Sequence, residues 1–223
     1  MVSQLILKKL NKIIIAIDGY SSTGKSTLAK MLSEHLGYKH INTGSMYRAV
    51  TLYAIRNNMI SEINGNFKMK DSALVQAIDD ISLDFVFDSN NQSNMHMNNE
   101  NIKNEIRNYN VSHFVSYVSK NLQIREKIVL LQKNMGIEKG IVMEGRDIAS
   151  VVFPFAELKL FITASLEVRA KRRYQELLKM GLKISFNEVL ENLKMRDSSD
   201  CNRENSPLVK VKDAILIDNT LLD

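Results

Sequence analysis

Residues 13–27 read IIIAIDGYSSTGKST: an apolar, β-branched run breaks into a loop of small residues carrying one lysine, Lys25. A run of that kind is the mark of a short buried strand. From Lys25 onward the spacing turns helical, with Leu28, Met31, Leu32 and Leu36 on one face and Gly37 as the stop. Strand, tight loop and helix within 25 residues leave few folds open, because a strand buried on both sides needs parallel neighbours and covering helices.

The loop itself says what comes near it. Gly19 to Ser26 fit G-x-x-x-x-G-K-[ST], a pattern whose glycines let the backbone curl without a Cβ in the way. Successive N–H groups then face inward at a helix N-terminus and form a nest for anions. In this reading Gly19, Tyr20, Ser21, Ser22, Thr23, Gly24, Lys25, Ser26 and Thr27 surround the phosphates of a nucleoside triphosphate. Lys25 reaches the β- and γ-phosphates, and the Ser26 hydroxyl ligates Mg²⁺. The alternative for such a loop is an ordinary glycine turn, and its flanks argue against that. The loop alone does not choose among an ATPase, a GTPase and a kinase, although no NKxD-type segment for reading guanine is present.

Further strands are predicted at 141–144 (IVME), 158–162 (LKLFI) and 214–217 (AILI), with helices at about 45–57, 108–136, 165–180 and 185–196. Alternation of this kind gives an α/β fold with a mostly parallel sheet. Between about 60 and 107 the character changes. LDFVF (83–87) and NMHMN (94–98) flank a turn-like SNNQS, which suggests a small hairpin. Asparagine is dense from 88 to 110, read here as compositional bias in loops.

The chain has 223 residues and a net charge of +5. The excess suits an anionic partner, but without a basic run of five or more it does not point to nucleic acid. No apolar run is long enough to suggest a membrane span. Residues 1–12 lack the features of a signal peptide. One cysteine, Cys201, fits a reducing cytoplasm, and the four histidines show no metal-ligand spacing.

Arginine placement narrows the chemistry. Arg48 falls early in a predicted helix, within NTGSMYR (42–48), where Thr43 is placed to cap. A cation there opposes the helix dipole unless it meets an anion. Arg146 follows a strand in EGRD (144–147), at the carboxyl end where open α/β sheets place ligands. Arg196, Asp200 and Arg203 share a face if their helix continues. Arg125 lies nine residues after Ser116, and Arg169, Arg172 and Arg173 share another face. Each alone reads as a solvated surface arginine. With a phosphate loop they suggest a cage for two phosphorylated molecules, since guanidinium groups bind phosphate oxygens in pairs.

Taken in order, AIDGYSSTGKST, NTGSMYR, GRD with VVFP, and RDSSDCNRENSPL resemble the bacterial cytidylate kinases over residues 12–220. The resemblance implies a single kinase domain over 1–223, with the three-layer P-loop NTPase fold, a central parallel five-stranded sheet and helices on both faces. Its core would be 12–62, 108–169 and 186–223, with a nucleoside-monophosphate insert at about 63–107 and a short lid at about 170–185. It implies transfer of the γ-phosphoryl group of ATP to CMP or dCMP, with Mg²⁺, by a cytoplasmic monomer. By motif, Lys25, Arg48, Arg146, Arg196 and Arg203 would be catalytic. The CMP site would use Thr43, Tyr47, Arg48, Ser116, Arg125, Arg146, Asp147, Asp200 and Arg203. Within it Ser116, Arg125 and Asp147 would read the cytosine edge, and Asp200 would meet the sugar. Tyr20 stands where the family commonly has proline, and Asn42 and Glu144 where it usually has aspartate. Relatives usually continue past the position of Asp223 into a closing helix. A UMP/CMP or adenylate-type kinase, or a regulator that binds nucleotide without turnover, remains the alternative.

Overall fold

Strand β1 (Ile14–Gly19) is buried at every position in the computed structural model, which describes residues 11–88 and 93–222. It is followed by α1 (Lys25–Leu36), β2 (Lys39–Asn42) and α2 (Thr43–Arg56). A hairpin of β3 (Ile60–Ile63) and β4 (Asn66–Met69) comes next, then α3 (Asp71–Asp80). Three short strands, β5 (Leu83–Phe87), β6 (Ser93–Met97) and β7 (Glu100–Asn101), form a small antiparallel sheet. Helices α4 (Tyr109–Val118) and α5 (Leu122–Met135) lead back to β8 (Ile141–Gly145) and β9 (Leu158–Thr163). The chain then runs through α6 (Leu166–Lys179) and α7 (Phe186–Asn202) to β10 (Ile215–Asp218).

The main sheet has the order β10-β9-β1-β8-β2, all parallel. This is the α/β fold with a parallel sheet that the strand–helix alternation predicts, with the five strands that the resemblance implies. The strand pleat explains how β1 is buried on both faces. Ile15 and Ile17 pack with Ala29, Leu28 and Leu32 of α1 on one side. Ile14 and Ala16 pack with Ile148, Ala149 and Val152 on the other. Each fully buried isoleucine among them contributes about 1.5–3 kcal/mol relative to exposure. A third core gathers α2, α3, α4, α5 and the small sheet, through Val50, Leu74, Ile102, Val115 and Ile128.

Several boundaries differ from the sequence reading. The helical pattern at 108–136 is two helices, because Asn121 caps the second by accepting from Ile124 N at 3.1 Å. Helix α3 was not predicted. Helix α7 runs to Asn202, six residues past the predicted end, and opens on a Ser185–Glu188 capping box. The hairpin pairing Leu83–Phe87 with Ser93–Met97 is present, while most of its connecting SNNQS turn lies outside the described residues. The asparagines nearby have defined work. Asn98 and Asn99 take left-handed backbone at the β6–β7 turn, a conformation asparagine tolerates. Asn108 caps α4, accepting from Val111 N at 2.8 Å. Among the described residues no helix is long and apolar enough to cross a membrane.

Candidate active site

A cleft of about 400 Å³ opens at the carboxyl end of the parallel strands, where the chain passes from strand to helix. Its floor is the loop between β1 and α1. No side chain caps the first turn of α1, so the N–H groups there are left for a ligand. Gly24 has φ +91° and Ser22 φ +60°, the left-handed turns that curl the loop. Gly19 serves a different purpose: a Cβ there would overlap the carbonyl of Ile162, so the glycine lets β1 and β9 pack.

Lys25 is 5% exposed. Its ammonium donates to the carbonyl of Tyr20 and lies 3.4 Å from Thr23 Oγ1. Burial first, then the charge of Arg146, pushes its pKa down. Ser21, Ser22, Lys25 and Ser26 line the cleft. Tyr20 does not turn its side chain into it. The ring packs edge-on to Phe161, 5.1 Å from the Arg169 guanidinium, with its hydroxyl 3.9 Å from Cys201 Sγ. Thr23 is fully buried and donates to the Tyr20 carbonyl at 3.0 Å, while Thr27 is exposed on α1.

Beside the loop, Ser26 Oγ donates to Glu144 Oε2 at 2.9 Å. Burial pushes the Glu144 carboxyl up, but His40 and Lys25 outweigh it and hold the group below its ordinary range. Two oxygen atoms this close, one of them anionic, fit the preference of Mg²⁺ for hard oxygen surroundings. Thr43 does not cap α2. It is the first helical residue, and its hydroxyl donates to the Glu144 carbonyl at 2.8 Å, tying α2 to β8.

Eight basic side chains and four carboxylates line the cleft among the described residues. Arg48 donates to the Ile106 carbonyl at 3.0 Å and Ser112 Oγ at 2.8 Å. Its pKa is pushed down to about 9, by burial first and then by Arg196 and Arg173. Arg196 is pushed down to about 10, again by burial and then by Arg146. These cations repel one another, and a phosphate between them relieves the strain. Arg146 Nε donates to Asp200 Oδ2 at 2.8 Å, and Arg203 Nη1 lies 3.7 Å from the other oxygen. Arg196 and Asp200 share the cleft face of α7, whereas Arg203 has left the helix as its C-cap and returns toward Asp200 from outside.

At the far end Arg125 and Asp147 form a buried ion pair, with the Arg125 guanidinium 5.4 Å from the Tyr47 ring. Ser116 lines the same wall. The Tyr47 hydroxyl, Arg125 Nε and Arg203 Nη2 are buried with no partner. Buried polar groups are rarely left so, and orphans this close to a cleft are the groups a polar ligand would satisfy. Asp18 fixes the loop that carries Asp147, accepting from Ile148 N at 2.9 Å and Ala149 N at 2.8 Å.

Sequence reasoning missed Arg107 and Ser112 as cleft residues. The signal for Ser112 was its spacing of four from Ser116. Arg169, Arg172 and Arg173 do share one side of α6 but divide three tasks. Arg169 is paired with Asp197 at 2.7 Å, Arg172 holds the carbonyls of Asn219 and Leu222, and only Arg173 lines the cleft.

A family model described as cytidylate kinase matches residues 15–223. The cytidylate kinase of Flavobacterium psychrophilum is 50% identical over 214 residues, covering 96% of this chain and 93% of that protein. The cytidylate kinase of Flavobacterium johnsoniae is 49% identical over 215 residues, with 96% and 92% covered. That of Bacteroides fragilis is 49% identical over 214 residues, with the same coverage. Among solved structures, TT1252 from Thermus thermophilus is 17% identical with a TM-score of 0.40, over 95% of this chain and 90% of that chain, a likeness too distant to bear on function.

Proposed function

This chain belongs to the cytidylate kinase family, and from that premise we infer that it transfers the γ-phosphoryl group of ATP to CMP or dCMP, giving ADP and CDP or dCDP. The observation that carries the reading is the cleft's charge pattern. Arg48, Arg146, Arg196 and Arg203 line the same cleft as Lys25 and the Arg125–Asp147 pair, and the cleft's basic groups outnumber its carboxylates.

In this reading Ser21, Ser22, Lys25 and the free N–H groups of α1 hold the ATP phosphates. Arg48, Arg146, Arg196 and Arg203 hold the acceptor phosphate and the group in transit. The attacking atom is a CMP phosphate oxygen, already ionised near neutral pH, so no general base is needed. What the chain supplies is alignment and neutralisation of charge. Ser26, next to Glu144, would hold the Mg²⁺ that accompanies ATP, and that ion would supply further neutralisation of phosphate charge. Cytosine offers an amino donor beside two acceptors. The Asp147 carboxylate and Ser116 hydroxyl suit the donor, and Arg125 the acceptors.

We assign 63–107 as the monophosphate insert and 170–185 as the lid. Support comes from both segments lining the cleft, through Ile106 and Arg107 of the first and Arg173, Glu176 and Met180 of the second. Closing such walls excludes the water that would hydrolyse ATP. The enzyme would act as a monomer in the cytoplasm.

The test is ADP release with Mg·ATP and, separately, CMP, dCMP, UMP, AMP and GMP, with Lys25→Ala as control. Fast turnover confined to CMP and dCMP is expected. Turnover led by AMP would leave a kinase and discard the assignment of Ser116, Arg125 and Asp147. ATP binding without turnover on any acceptor would make the chain a nucleotide-binding regulator.

A further inference from the structure

Glu144 is gripped from two elements besides its own strand, and its two oxygens are treated differently. Oε1 meets a pair from β2: the Asn42 amide donates at 3.0 Å, and His40 Nε2 lies at 2.9 Å. Oε2 is kept for one group, the Ser26 hydroxyl of α1, at 2.9 Å. The Glu144 side chain is 4% exposed and that of His40 12%, so solvent competes little for these bonds.

The pleat sets this arrangement. Parallel β2 and β8 place Asn42 beside Glu144 and His40 beside Val142. Side chains two apart share a face, so His40, Asn42 and Glu144 all point toward α1. Asn42 also holds the N-cap position of α2, where asparagine ordinarily accepts from a backbone N–H of the first turn. Here its side chain makes no cap bond. The amide is spent on Glu144 instead, with Ser26 Oγ at 3.4 Å.

A hydroxyl that ligates a cation uses an oxygen lone pair and must send its proton elsewhere. We propose that His40 and Asn42 are positioning residues for the nucleotide's metal: they hold Glu144 so that Oε2 accepts the Ser26 O–H hydrogen bond, leaving the Ser26 oxygen with its lone pairs toward the cleft for Mg²⁺. The inference rests on the nucleotide-binding reading and deepens it, since His40 lies outside the phosphate loop and does not line the cleft. The neutral amide at 42 is part of the device. It donates to Oε1, where a carboxylate would bring a second anion against the first.

Titration of ATP into the full chain by calorimetry, once with Mg²⁺ and once with EDTA, isolates the metal's share of binding. His40→Phe and Asn42→Leu should each weaken Mg·ATP binding by roughly 10-fold, the usual effect of losing a group that orients a metal ligand, and leave metal-free ATP binding unchanged. His40→Gln, which keeps a donor, should stay near wild type. In a Glu144→Gln background His40→Phe should add nothing. Equal losses with and without Mg²⁺, no loss in either variant, or a loss in His40→Gln as large as in His40→Phe would each overturn the role. Should Asn42→Leu fail to fold, His40→Phe carries the test. Wild-type protein that binds no ATP would defeat the nucleotide reading itself, whereas wild type that binds Mg·ATP no differently from its variants defeats only the positioning role.

Discussion

Arg146 Nε donates to Asp200 Oδ2 at 2.8 Å, joining the loop after β8 to helix α7 across 54 residues of sequence. The bond turns one face of the guanidinium toward a carboxylate and leaves the rest for phosphate. It also brings α7, with Arg196, over the cleft.

Arg146→Ala should therefore cut turnover by about 10²–10⁴-fold, the scale for losing a group that stabilises transition-state charge. The fold should survive, because Asp200 keeps Arg203 nearby and the side chain is partly solvated. Steady-state ADP release beside a thermal melt checks both halves. Near-normal turnover would remove Arg146 from the phosphate site.

Asp147→Asn should relax base selection. The carboxylate accepts only, whereas an amide can also donate and so tolerates the carbonyl of uracil. Discrimination between CMP and UMP, measured as the ratio of kcat/KM values, should fall by roughly 10²-fold or more. Asp147→Ala should do worse on stability, costing about 3–5 kcal/mol, because it strands buried Arg125 without its partner. Unchanged selectivity in Asp147→Asn would put the base elsewhere.

Asp18 gives a pH dependence of known sign. Burial raises its pKa from 3.8 to about 6, and the two backbone N–H bonds recover only part of that cost. The folded chain thus holds this proton more tightly than the unfolded one. The associated stability is fully present below about pH 4 and lost as pH rises through 6, a change of about 3 kcal/mol. Asp18→Asn should carry a fixed penalty for the lost acceptor but no such decline, so its deficit against wild type should shrink from pH 4 to pH 7. Urea unfolding at both values decides it. A deficit that grows over this range would mean the carboxylate is ionised and favourable in the fold.

Two glycines of one loop should respond unequally. Gly19→Ala pushes a Cβ into the Ile162 carbonyl, part of a strand that cannot yield without parting β1 from β9. Gly24→Ala meets only the end of the Asn219 side chain, though at φ +91°. The unfolding free energy from urea titration should fall by about 3 kcal/mol or more for Gly19→Ala and about 1–2 kcal/mol for Gly24→Ala. The reverse order would contradict the packing described between β1 and β9.

What could be read without the fold was local in origin. The β1 strand, the phosphate loop and α1 follow from neighbouring residues, whose periodicity and glycines need no distant partner. The parallel sheet followed as well, because strands that are apolar on both faces have few other arrangements. The 108–136 pattern reads as one helix, since its periodicity continues through Asn121, and only the structure shows that residue capping a second helix.

Tertiary structure decided how the polar groups are shared out. Tyr20 lies in the phosphate motif, but Phe161, Arg169 and Cys201 offer its ring a better surface than the cleft. Thr43 has the chemistry of a cap and spends it on the Glu144 carbonyl, because β8 lies within reach and leaves that carbonyl to be satisfied. Three arginines on one face of α6 part company for the same reason. A side chain's local pattern fixes which way it faces. Which acceptor it meets there depends on strands and helices up to 196 residues away, brought close only when the sheet closes and the chain's hydrophobic clusters pack.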